Sequence, residues 1–121
     1  MLDITKVLVI SNEISEYERI KSTLDSLKFF QLDYQTDLKR EGNYYDFVIA
    51  DLDSLDGPDE LKIIDNLKQT YRRSNIILIG GTKEGHLSKT QKGMTVLSKP
   101  ISEVELLECL FNAILEEVSS I

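Results

Sequence analysis

Cysteine, positive charge and long apolar runs are all scarce in this chain. Its single cysteine, Cys109, leaves no partner for an internal disulfide, which points to a reducing cytoplasm. Fourteen Lys and Arg stand against 21 Asp and Glu, a formal net charge of −7. Arg72-Arg73 and the scattered Lys83, Lys89 and Lys92 do not build the basic face that nucleic acid or an anionic membrane surface requires. No apolar run approaches the roughly 20 residues of a membrane span, and the N-terminus lacks the apolar core of a signal peptide. Repeats, low-complexity tracts and linkers are missing too. What remains, 121 residues at 41% hydrophobic and 29% charged, predicts one globular domain over 1–121 with a single core.

The apolar residues alternate between short continuous runs and amphipathic stretches. Lys6 to Ile10, Phe47 to Ala50 and Ile76 to Ile79 read as strands buried on both faces, as a parallel sheet covered by helices requires. Phe29 to Tyr34 and Met94 to Leu97 add two weaker strands. Ser15 with Glu18 fits a capping box, after which Tyr17, Ile20, Leu24 and Leu27 follow helical spacing. Pro58 suits the first turn of a helix carrying Leu61, Ile64, Leu67 and Tyr71. Ser102 with Glu105 caps a last helix whose stripe is Val104, Leu107, Phe111, Ile114 and Val118. Leu106, Leu110 and Ala113 lie beside that stripe, a wider apolar face than one sheet contact needs. Two crossovers are thin. Thr36 to Asn43 has room for two helical turns at most, and the polar Thr82 to Gly93 reads as a loop or a single turn. The order is that of an α/β doubly wound domain.

One stretch carries chemistry. In Phe47-Val48-Ile49-Ala50-Asp51-Leu52-Asp53, a strand buried on both faces ends on two carboxylates. Asp51 at the end of the third strand, Lys99-Pro100 after the fifth, and the placing of the first and last helices together resemble the response-regulator receiver family of two-component signalling. The resemblance covers essentially the whole chain. It implies a five-stranded parallel sheet in the order 2-1-3-4-5 with helices on both faces, the second and fourth helices here short or missing. It also implies a site at the carboxyl ends of the strands, with Asp51 equivalent to the phosphoacceptor.

The departures bear on function. Where receivers carry two acids that hold magnesium, this chain has Ser11 and Asn12. Where they carry a Ser or Thr that hydrogen-bonds the phosphoryl group, it has Gly80, and their switch aromatic is Val96. Phosphoryl transfer to a carboxylate brings a dianion up to an anion, so catalysis is largely charge neutralisation and positioning. Magnesium needs an oxygen shell that includes one or two carboxylates. With Ser11 and Asn12 in place, Lys99 alone can neutralise Asp51, and no metal is needed to balance the pocket.

Two readings of Asp51 follow: a structural partner of Lys99 in a degenerate pseudo-receiver, or a working phosphorelay acceptor with unusual ligands. In the second, Glu13 and Asp53 are the acids that could rebuild a magnesium site; in the first they are solvated loop residues. Gly80-Gly81 reads as a loop exit rather than an anion cradle, His86 as a surface histidine, and Cys109 as a half-buried apolar residue. Asp51-Leu52-Asp53 also resembles the first motif of haloacid-dehalogenase-like phosphatases. That motif sits on the first strand, with Thr or Val where this chain has Leu55, and the chain lacks room for a cap. The reading adopted is a non-enzymatic, cofactor-free signalling domain acting through a protein partner or a homodimer, alone or as one part of a longer regulator. The surplus apolar face, with Leu106, Leu110 and Val96, is the expected interface.

Overall fold

The computed structural model describes residues 4–38, 44–55, 60–80, 90–91 and 94–119. In chain order the elements are β1 (Thr5–Ile10), α1 (Ile14–Leu24), β2 (Phe30–Gln35), β3 (Phe47–Asp51), α2 (Glu60–Thr70), β4 (Asn75–Ile79), β5 (Thr90–Gln91), β6 (Met94–Leu97) and α3 (Glu103–Ser119). Five strands are parallel in the order β2-β1-β3-β4-β6, the expected 2-1-3-4-5. A sixth was not expected. Thr90–Gln91, within the polar stretch read as a loop, runs antiparallel to β6 at the sheet edge. Residues 39–43, 56–59, 81–89 and 92–93 lie outside the described set, and with them the readings of the thin crossovers, Pro58, Gly81 and His86.

Strand alternation divides the core in two. Leu8, Ile10, Val48, Ala50, Ile76 and Leu78 face α2, where Ile63, Ile64, Leu67 and Tyr71 meet them. Val7, Val9, Phe47, Ile49, Ile77 and Ile79 face α1 and α3, where Ile20, Leu24, Leu106 and Leu110 meet them. Leu61 is 56% exposed rather than core, and Ile63 supplies the contact instead.

The last helix is turned from its expected setting. Leu106 and Leu110 are fully buried against the sheet, and Val96 is buried in the opposite core. Val104, Phe111 and Leu115 are the exposed residues, at 64%, 37% and 61%. The expected interface of Leu106, Leu110 and Val96 is therefore interior. An α3 that is apolar over most of its circumference leaves the phase open in sequence; packing against β1, β3 and β4 decides it.

The starts of α3 and α1 are fixed in different ways. Leu106 N–H donates to the Ser102 carbonyl at 3.0 Å and Glu105 N–H to Ser102 Oγ at 3.3 Å, so Ser102 caps α3 as its spacing predicts. Helix α1 starts earlier than its predicted box. Glu13 is its N-cap without a side-chain hydrogen bond, and Ser15 lies inside the first turn. Ser11 Oγ instead accepts the Glu13 N–H at 3.0 Å, which ties the helix start to the end of β1.

Candidate functional site

Parallel register brings the carboxyl ends of β1, β3, β4 and β6 to one edge. Ile10 pairs with Ala50, Asp51 with Ile79, and Ile79 with Leu97. The ladder runs one step past the strands, Leu52 N–H donating to the Ile79 carbonyl and Gly80 N–H to the Leu97 carbonyl. Ser11, Asp51, Gly80 and Lys99 are thereby gathered from four segments.

Asp51 lies at the centre and is 1% exposed. Its Oδ1 meets Lys99 Nζ at 2.7 Å, and its Oδ2 accepts from Ser11 Oγ at 2.9 Å. A buried carboxylate is tolerated only when its charge is compensated, and here Oδ1 has the ion pair with Lys99, its distance short but its geometry not that of a hydrogen bond, while Oδ2 has the Ser11 donor. Burial works to lower the Lys99 pKa. The short contact and charge of Asp51, joined by the charges of Asp53 and Glu16, outweigh it and hold the ammonium above its ordinary value. The Lys99–Pro100 peptide is cis.

Ser54, which sequence reasoning missed, braces this centre. Its Oγ accepts the Asn12 N–H at 2.9 Å and lies 3.3 Å from Ser11 Oγ, while its carbonyl accepts from Asn12 Nδ2 at 2.7 Å. Asn12 thus clamps two loops together through its backbone N–H and its Nδ2 donor. Tyr34 was missed as well. Its hydroxyl donates to the Ser11 carbonyl at 2.7 Å, and its ring stacks on Tyr17 at 4.6 Å. Glu16 is the third omission, a buried carboxylate whose Oε2 has no hydrogen-bond partner among the described residues. A serine in a turn and a glutamate in a first helical turn carry no sequence signal that sets them apart from capping residues.

Asp53 joins the pocket, its Oδ2 3.7 Å from Lys99 Nζ, and its side chain is 21% exposed rather than solvated. Glu13 is exposed and takes part through its backbone, its carbonyl accepting the Glu16 N–H. The side chains do not fit magnesium. Both Asp51 oxygens are engaged within the protein, and no group of three or more His, Cys, Asp or Glu among the described residues is arranged to hold a metal. Cys109 is half-buried, and burial pushes its thiol pKa up against a hydrogen bond with Thr95 that lowers it, the setting of an inert residue.

Comparison with solved structures decides the architecture. A receiver domain (CheY-like) from Methanospirillum hungatei JF-1 superposes with a TM-score of 0.77 at 12% identity, over 98% of this chain and 99% of that one. The signal receiver domain of an HD domain-containing protein from Pseudomonas fluorescens Pf-5 gives 0.75 at 21% identity, over 99% and 93%. This chain has the receiver fold. A third receiver domain, from a sensor histidine kinase of Pseudomonas aeruginosa PAO1, has a magnesium ion coordinated in its active-site cleft; it gives a TM-score of 0.66 at 23% identity, over 88% and 93%. No family model and no curated protein matches the chain. The receiver fold accounts for the place of Asp51 and Lys99 at the carboxyl edge, while the side chains around them are this chain's own. Among the described residues no helix is long and apolar enough to cross a membrane.

Proposed function

We propose that this chain, one domain over 1–121, is a cytoplasmic pseudo-receiver: a non-enzymatic signalling domain that acts through contact with another protein, without phosphorylation of Asp51. One observation carries the reading. Asp51 is sealed at 1% exposure with Lys99 paired to Oδ1 and Ser11 hydrogen-bonded to Oδ2, so each oxygen that would attack a phosphodonor is already engaged. Phosphoryl transfer there would have to break the Lys99 pair without a metal to replace it.

The exposed stripe Val104, Glu108, Phe111 and Leu115 on α3 is the surface for contact, at the spacing of one helix face. Phe111 extends it towards β2, its ring 6.1 Å from Phe29 and 6.5 Å from Phe30. Helix α3 carries Glu103, Glu105, Glu108, Glu116 and Glu117 and no Lys or Arg. Glu108 lies within the stripe and no cation of α3 offsets it, so the fitting partner is an apolar segment flanked by basic residues. The deciding experiment is incubation with a small phosphodonor and magnesium, followed by intact mass measurement. The expected result is an unchanged mass. A gain of one phosphoryl group that is lost in Asp51→Asn would establish instead a phosphoacceptor with atypical ligands.

A further inference from the structure

Gly80 follows β4 with φ 76°, a left-handed conformation that a residue with a side chain adopts only under strain. It also faces an obstacle. A methyl group built on Gly80 would overlap Asp53 Oδ2 and lie 2.6 Å from Asp53 Cγ and 3.0 Å from Oδ1. The Asp53 carboxylate therefore occupies the space that a side chain at position 80 would need. That same Oδ2 lies 3.7 Å from Lys99 Nζ, which is held at 2.7 Å by Asp51. Among the described residues, the groups whose charges act on Lys99 are all acids: Asp51, Asp53 and Glu16. An entering oxyanion would find the ammonium already shared and carboxylates on its flanks.

We propose that Asp53 is the resident anion of this pocket: its carboxylate fills the space over Gly80, shares Lys99 with Asp51, and shuts out phosphate-like oxyanions. Lys99 is then engaged in the unliganded protein, and the carboxyl edge of the sheet is held in one arrangement whatever phosphodonor is present. Gly80 is needed for its φ, and a side chain there would displace the Asp53 carboxylate. The inference deepens the phosphorylation-independent reading and rests on it for its meaning in signalling; the packing itself is tested separately.

The test is a thermal-unfolding cycle on the full chain with Gly80→Ala, Asp53→Gly and the double variant. Gly80→Ala is expected to lower the midpoint more in the wild-type background than beside Asp53→Gly, because the φ strain persists in both and the overlap in only one. Equal shifts would overturn the proposal. Asp53→Asn keeps the shape and removes the charge, so it serves even where Asp53→Gly does not fold. It should raise the acylation rate of Lys99 several-fold relative to exposed Lys6, read by peptide mass; an unchanged ratio would overturn the shared-lysine arrangement. Phosphoryl uptake by the wild type would defeat the functional reading even with the coupling intact. An additive cycle without uptake would defeat this inference alone.

Discussion

A lysine that faces two carboxylates 2.7 and 3.7 Å away, with a third acid close enough to act on it, is held more tightly than charge balance at a surface would hold it. Removing that lysine strands Asp51 in a site where the carboxylate is 1% exposed. Lys99→Met is therefore expected to destabilise the protein by roughly 3 kcal/mol, the scale for an uncompensated buried charge. The double variant Asp51→Asn with Lys99→Met should lose less than Lys99→Met alone, since the stranded charge is gone. Urea unfolding of the set measures this, and additive losses would refute the pair. Magnesium belongs to the same residues. With Oδ1 committed to Lys99 and Oδ2 to Ser11, millimolar magnesium should give no calorimetric signal that depends on Asp51. A sub-millimolar affinity abolished by Asp51→Ala would contradict the assignment of these oxygens.

Helix α3 separates what its pattern can say from what packing must decide. Leu110 is fully buried, so Leu110→Ala should cost about 3 kcal/mol on the scale of large-to-small core changes. Leu115 is 61% exposed, so Leu115→Glu should leave stability within about 0.5 kcal/mol while weakening any association through the outer stripe. Sedimentation beside urea unfolding separates the two effects; a wild-type dimer broken by Leu115→Glu would make the partner a second copy. The strands were legible because short runs such as Phe47 to Ala50 are apolar on both faces, as a covered parallel strand requires. The setting of α3 was not, because Val104, Leu106, Leu107, Leu110, Phe111 and Ile114 together span too much of the helix to mark one side. Strand β5 was hidden for the opposite reason, two polar residues offering no pattern at all. In the site, Asp51 and Lys99 were legible from position along the chain. Ser54, Glu16 and the seat of Asp53 over Gly80 depend on loops meeting in space, and no local rule reports that.

Across the molecule, the neutral and paired states of a few groups join elements that hydrogen-bonded strands alone do not. Tyr45, at the entry to β3, donates its hydroxyl to Asp33 of β2 at 2.8 Å, and Lys99 after β6 closes onto Asp51 of β3. Burial first, then the hydrogen bond and charge of Asp33, push the Tyr45 phenol from 10.0 up to about 12. Burial likewise raises the Tyr71 phenol, against a hydrogen bond from Gln35 that lowers it. A phenol whose folded pKa is raised keeps a proton that the unfolded chain has released, so folding stability falls as pH rises between the two values. For Lys99, also raised, the stabilising charge is fully present below its unfolded pKa and is lost as pH climbs through the folded one. Both signs point the same way. Stability should hold steady through neutral pH and decline from about pH 10 upward, a window set by these groups and not by the acid range. Tyr45→Phe should flatten the part of that decline between pH 10.0 and about 12, and Lys99→Met should remove a separate part. Urea midpoints collected across the alkaline range would measure both. A wild-type profile as flat as that of Tyr45→Phe would show that the β2–β3 tie carries no proton-linked stability.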